Sequence, residues 1–364
     1  MKYTILKKDK NLYNFVEKDK NKIKKAGKDI FGTKKDIIDY DNTTKLKFTN
    51  FKTCKSFFGR ELSISQPLRR PFPKIINKKN LDMNTTNITN FECFCCLYDI
   101  EEFTPEIDYS SALTMEEAFV HCSNLKRIHK INSKKCKDFR NCFWNCHELE
   151  EIQIDTDCGE LFNYMFCSCE KLKNISFTHL MSGKKFGNMF DGCSSLKTIN
   201  LKEETINGDY FDNMFSECSL LQEIIGLEVQ SAVPGSYSQF ETPAFVGTFY
   251  KCFSLKILDM KNIKKSLDLR DCPLLTEESI LNISKELHTV PDDFKGHDKI
   301  NIYFNDNDRI KNYLNNTYCR VTDLADSKKP IELTEKDTDS AISLADYIKN
   351  EKGWGLYYAS ANND

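Results

Sequence analysis

The sequence predicts an α/β fold centred on a solenoid, a parallel sheet of short strands with a period of about 24 residues. A basic N-terminal module precedes it and a small α/β C-terminal cap follows. Three observations carry this reading. One ten-residue pattern returns six times in phase, positive charge is concentrated ahead of it, and helix-like and strand-like patterns alternate behind it. The resulting modules are 1–80, a basic module or anchoring arm, 81–275, the solenoid, and 276–364, the cap.

The first 80 residues hold 22 Lys or Arg against 8 Asp or Glu, a net +14, so with the whole chain at -2 the remainder carries -16. Parts of such different charge behave as different modules. A basic arm docks on nucleic acid, an anionic membrane surface or an acidic protein face; the Lys-rich stretch Lys18–Lys28 also reads as a solvated helix face. Three prolines between Pro67 and Lys74 mark a stiff linker, which places the boundary near residue 80. With 40% apolar and 29% charged residues the chain is too hydrophobic for wholesale disorder. No run approaches the roughly 18 apolar residues of a membrane helix, and Met1 to Asp9 lacks an apolar stretch leading to a cleavage site. Neither membrane insertion nor a secretion signal is expected.

The repeat reads Phe-x-x-Cys-x-x-Leu-x-x-Ile. Its copies are AFVHCSNLKRI from Ala118, CFWNCHELEEI from Cys142, MFCSCEKLKNI from Met165, MFDGCSSLKTI from Met189, MFSECSLLQEI from Met214 and TFYKCFSLKIL from Thr248. The cysteines Cys122, Cys146, Cys169, Cys193, Cys218 and Cys252 are spaced by 24, 23, 24, 25 and 34 residues. A coil of this length cannot bury its own apolar face, so coils must stack like on like. Degenerate copies flank the array, Phe91-x-x-Phe94-x-x-Leu97-x-x-Ile100 before it and LDLRDCPLL around Cys272 after it, as capping units do. Within each copy Leu-x-x-Ile-x-apolar alternates like a half-buried strand, and Met-Phe-x-x-Cys suits a tight helical turn. Cysteine fits the inward step because it is small, polarizable and readily buried. The six form a structural ladder of reduced thiols.

The units MFDGCSSLKTINL and MFSECSLLQEI resemble BspA-like leucine-rich repeats, whose copies read roughly MF-x-x-C-x-x-L-x-x-I-x-L. The resemblance covers about 91 to 275 and implies the leucine-rich-repeat fold, a scaffold found in bacterial surface proteins, in some protists and in phage or prophage genes. The stretch LLTEESILNISKEL from Leu274, with the later Lys352-Gly353-Trp354, looks like the closing segment of repeat proteins encoded by gut-bacterial phages and prophages, with a longer stretch between the two motifs. It implies a phage or prophage origin, and together with the missing secretion signal and the bipartite charge it points to a virion protein assembled in the bacterial cytoplasm; the alternative, implied by the repeat family, is a bacterial cell-surface adhesin. In the cap, Glu277–Leu287 reads as a helix, Lys299–Phe304 as a strand and Asp337–Asn350 as a helix.

No nucleotide-binding loop, zinc-protease helix or serine elbow is present. Cys93, Cys95 and Cys96, the Cys142/Cys146 pair and the Cys167/Cys169 pair lack the paired C-x-x-C spacing of a zinc site. His121 and His147 adjoin Cys122 and Cys146, but an inward ladder cysteine is closed off and its thiol pKa raised. Neither an enzyme, nor a metal, nor a cofactor is expected. Binding is expected at side chains alternating with the buried Leu and Ile of the strands: Arg127 and His129, Glu151 and Gln153, Asn174 and Ser176, Thr198 and Asn200, then Glu223 and Asp259. The insertion between Cys218 and Cys252 reads as a contact loop carrying Tyr237 and Phe240. The expected partner is a protein, another virion component or a host surface receptor. A glycan, nucleic acid bound through residues 1–80, and self-association stay open.

Overall fold

The computed structural model describes residues 85–95, 100–177, 183–201, 210–227, 245–290, 300–320, 333–336 and 340–360 with their side chains, and strand backbone at a few further positions. Two compact units form, Met1–Gly183 and Lys184–Asp364. Their border falls inside the repeat array, between the copies that start at Met165 and Met189.

Ahead of the repeats lie strands β1 (Tyr3–Lys7), β2 (Asn14–Glu17), β3 (Ile23–Lys28), β4 (Lys34–Tyr40), β5 (Leu46–Thr49), β6 (Ile75–Asn77) and β7 (Leu81–Met83). β4 pairs antiparallel with both β1 and β3, while β5 pairs antiparallel with β2 and parallel with β7. The Lys-rich stretch thus supplies strand β3, and the helix reading of it is corrected.

In the first unit the repeats contribute β8 (Glu102–Thr104), β9 (Arg127–Ile128), β10 (Glu151–Ile154) and β11 (Asn174–Phe177). β6, β8 and β9 pair in parallel, as do β10 and β11, and a parallel bridge joins Ile131 to Ile154. The Met-Phe-x-x-Cys segments are not helical. Around Ala118 the N–H groups of Met115, Glu117, Phe119 and His121 donate to Asp138, Arg140, Cys142 and Trp144 of the following coil at 2.8–2.9 Å. Those of Ala118, Val120 and Cys122 donate three residues back within their own coil at 3.0–3.2 Å. A helix would turn every N–H along its own axis and leave none for the neighbouring coil; the alternation satisfies both directions.

Left-handed residues four apart make this path: Glu117 and His121, Asn141 and Asn145, Tyr164 and Ser168, and in the second unit Asn188 and Gly192, Asn213 and Glu217, Gly247 and Lys251. Each non-glycine costs roughly 1–2 kcal/mol in that region. The two sets of backbone bonds hold it there.

The core is a set of phenylalanine columns. Phe143 lies between Phe119 and Phe166, with centroids at 5.2 and 5.5 Å and rings within 8° of parallel. Phe211 lies likewise between Phe186 and Phe245, and Phe215 between Phe190 and Phe249. At the first repeat the rings turn edge-on, Phe94 and Phe103 packing against Phe119 at 5.9 and 5.6 Å. The cause is a register that differs from the flanking copy read in the sequence. Cys95 donates to Ala118 as Phe119 donates to Cys142, so Cys95 holds the phenylalanine position, and Phe103 pairs with Ile128. Phe91 therefore sits one step earlier, level with Met115, and the gap left by Cys95 is filled by the edges of Phe94 and Phe103.

The second unit holds β12 (Thr198–Asn200), β13 (Thr205–Ile206), β14 (Glu223–Val229) and β15 (Ile257–Lys261), all parallel about β14. A register shift between Ile224 and Leu227 bulges β14 at Gly226, whose φ is 73°. Next, β16 (Leu267–Leu269) carries Leu269 at the phenylalanine position of the degenerate copy around Cys272: Cys272 donates to Leu269 as Cys252 does to Phe249. Helix α1 (Glu277–Glu286) then packs on β15, capped by Thr276, with Ile280 and Ile283 buried.

The cap continues with β17 (Asn301–Asn305), helix α2 (Asp308–Asn316), β18 (Tyr318–Arg320), β19 (Glu332–Thr334), β20 (Ala341–Ser343), the single helical turn α3 (Leu344–Asp346) and β21 (Gly355–Ala359). β16, β17 and β21 form a parallel sheet; β18 pairs antiparallel with β19 and β20. The expected helix Asp337–Asn350 is therefore corrected. Ala341–Ser343 is strand, and Ser343 caps only a short helical segment ending in a π-type turn, Tyr347–Glu351. The two closing motifs meet: Trp354 Nε1 donates to the His288 carbonyl at 2.7 Å, and Val290 N–H donates to the Lys352 carbonyl at 2.8 Å. Among the described residues no helix is long and apolar enough to cross a membrane.

Candidate functional site

In the first unit the strands present an exposed polar strip. Ile152 and Ile154 point inward, leaving Glu151 and Gln153 outward. Register places Glu151 opposite Asn174 and Gln153 opposite Ser176, all four exposed. Arg127 is exposed and forms an ion pair with Glu102, its register partner, which raises the guanidinium pKa. His129 lies just beyond β9 and is exposed. Beside the strip, Lys171 pairs with Glu148 at 2.8 Å and Lys173 with Glu150 at 3.2 Å. Exposed pairs of this kind contribute little stability. They neutralise the margin, and at its centre the Glu151 carboxylate stands with the amides of Gln153 and Asn174 and the Ser176 hydroxyl.

In the second unit Thr198 and Asn200 are exposed, and Thr198 faces Glu223. Further along this unit the outward positions change character. Glu223 faces Ile257, whose side chain is 40% exposed, and Asp259 accepts the N–H of Gly226 at 3.1 Å. Asp259 thus holds the bulge of β14. Tyr237 and Phe240 lie outside the described residues.

Residues 86–222 match the family model described as BspA type Leucine rich repeat region, in six copies. That span holds the flanking copy at Phe91 and the copies that begin at Ala118, Cys142, Met165, Met189 and Met214; the Thr248 copy follows beyond it. No curated protein matches the chain. Leucine-rich repeats of this type generally serve protein contact or structural roles and are generally non-enzymatic.

The six ladder cysteines are buried. Desolvation pushes the thiols of Cys146, Cys218 and Cys252 well up, and that of Cys136, outside the ladder, up to about 12. The Cys146 thiol donates to a backbone carbonyl, while His147 Nδ1 lies 3.2 Å from Glu170 and His121 Nδ1 3.1 Å from the Asn145 amide. Neither histidine is directed at a thiol. Among the described residues no group of three or more His, Cys, Asp or Glu could hold a metal.

Sequence reasoning about the strands passed over Trp144, which lies in the turn segment between His121 and Tyr164, the latter 40% exposed. The signal was there: one of only two tryptophans stands at a variable position of the repeat.

Proposed function

We propose that the chain is a non-enzymatic protein-binding scaffold of a phage virion, in which a solenoid over 81–275 presents the strand strip to another virion protein or to the host surface. The basic segment 1–80 anchors it and 276–364 caps the last coil. The observation that carries the binding role is the in-register strip Glu151/Asn174 and Gln153/Ser176, held outward by the buried isoleucines behind it. Stacked coils fix side chains at regular spacing on a rigid frame, which lowers the entropic cost of engaging a broad partner. The resemblance of the closing segment to phage-encoded repeat proteins supports the virion role.

Mass spectrometry of purified particles tests the location, with peptides of this chain expected at structural stoichiometry. Cross-linking mass spectrometry on the same particles tests the surface, with links expected from Lys171 and Lys173, which border the strip. Abundance in cells with absence from particles would overturn the virion role.

A second reading rests on the +14 charge of residues 1–80. It makes the protein an intracellular nucleic-acid binder, with affinity falling steeply as salt rises. Binding that is absent or insensitive to salt would remove it.

A further inference from the structure

The turn segments of the first unit carry three aromatic side chains on successive coils, away from the strand strip. The ring centroids of His121 and Trp144 are 5.3 Å apart and those of Trp144 and Tyr164 6.2 Å, with tilts of 41° and 48°. The core makes no use of them, because Phe119, Phe143 and Phe166 fill the inner column. The two tryptophans differ accordingly. Trp354 is buried and its indole N–H is bonded to His288, whereas that of Trp144 has no hydrogen-bond partner among the described residues.

The groups around the rings are mostly neutral amides. Asn141 and Asn163 flank them, joined through their backbones at 3.0 Å, and their side chains have no partner among the described residues. The Asn145 amide lies beside His121. The charges nearby are engaged: Arg140 is held by Asp138 at 2.7 Å and Glu116 at 3.1 Å, and Glu117 accepts the Cys93 thiol at 3.1 Å.

We propose that His121, Trp144 and Tyr164 form a platform for a neutral oligosaccharide. Sugar rings lay their C–H faces on the aromatic rings, one per coil. Their hydroxyls, which both donate and accept, bond the amides of Asn141, Asn145 and Asn163 and the open indole N–H. An anionic glycan or an acidic peptide would need a free cation, and the Arg140 guanidinium is already shared between two carboxylates. The platform lies on the turns and the strip on the strands, so the two readings stand or fall separately.

The test uses the full chain and isothermal titration calorimetry for the parent and both variants, with the fluorescence of Trp144, the partly exposed one of the two tryptophans, as a second readout in the parent. The probes are short neutral oligomers of hexose and of N-acetylhexosamine, with heparin and a proline-rich peptide alongside. Substitutions copied from the equivalent position of a neighbouring coil keep the fold: Trp144→Val as at Val120, and Tyr164→Asn as at Asn141. The expected result is a saturable change with at least one neutral oligomer, unaffected by salt, weakened about tenfold or more by each substitution with an unchanged urea midpoint. No saturable response to any neutral oligomer would overturn the proposal. So would equal affinity in both variants, or a response confined to heparin or to the peptide.

Discussion

The thiol of Cys146 donates to the carbonyl of Phe119, one coil back, at 3.2 Å, and the same carbonyl accepts the N–H of Cys122 from its own coil, also at 3.2 Å. Cys169 does the same to Phe143, Cys218 to Phe190 and Cys252 to Phe215, at 3.1–3.2 Å. A buried carbonyl has two lone pairs; the backbone fills one and the next coil's thiol the other. The repeated cysteine is therefore a hydrogen-bond donor sized for a gap between coils, as well as a small apolar filler.

Cys146→Ala removes that donor and opens a small void, and Cys146→Ser puts a hydroxyl on a shorter bond that reaches the carbonyl less well. Each should cost about 1–2 kcal/mol in urea unfolding. Midpoints equal to the parent protein would show that the thiol only fills space.

Thiol chemistry should follow burial. Peptide-resolved alkylation of the native protein at pH 8 is expected to modify the exposed Cys158 quickly. Cys146, Cys218, Cys252 and Cys272, whose thiols are pushed well up by desolvation, should react only after unfolding. Rapid native labelling of any of these four would contradict the ladder.

Gly247 joins backbone strain to close approach. Its φ is +61°, and Asn188 and Asn213 at the equivalent position hold 56° and 54°, a region that costs a non-glycine roughly 1–2 kcal/mol. A Cβ at Gly247 would in addition run into Asn213 Oδ1. Gly247→Ala should cost about 2 kcal/mol or more, and Asn213→Ala should recover part of it. Simple additivity in the double variant would sink this explanation.

The repeat phase, the buried cysteines, helix α1 and the strand at Asn301–Asn305 were legible because each depends on spacing of apolar residues along the chain. The turn path was not. It depends on left-handed backbone at residues as varied as Glu117, His121 and Tyr164, which share no side-chain signature. The register of the first copy was hidden because its phenylalanines match the pattern at the wrong step. Helix α2 escaped notice since only Ile310 and Leu314 are buried in it. On the strands of each unit, alternation gave the exposed residues up to Asn200. It could not foresee that the β14 bulge would engage Asp259.

Acid should loosen the closing contacts of the C-terminal region. Burial first, then the charges of Lys264 and Lys352, lower the His288 pKa from 6.5 to about 4. With the folded value below the unfolded one, the unfolded chain takes the proton first. The contribution to stability is complete above about pH 6.5, is lost as pH falls from there to about 4, and changes no further below. Because the ring is exposed on one side, water screens much of the effect, and the loss should be about 1 kcal/mol. Lys352 points the same way: burial lowers its pKa, with Glu286 opposing, so its contribution is gained as pH rises toward 10.5. Unfolding by urea at several pH values should show a shallower slope between pH 6.5 and 4 for His288→Gln than for the parent protein. Parallel slopes would mean that the His288 ring is as free to protonate in the folded chain as in the unfolded one.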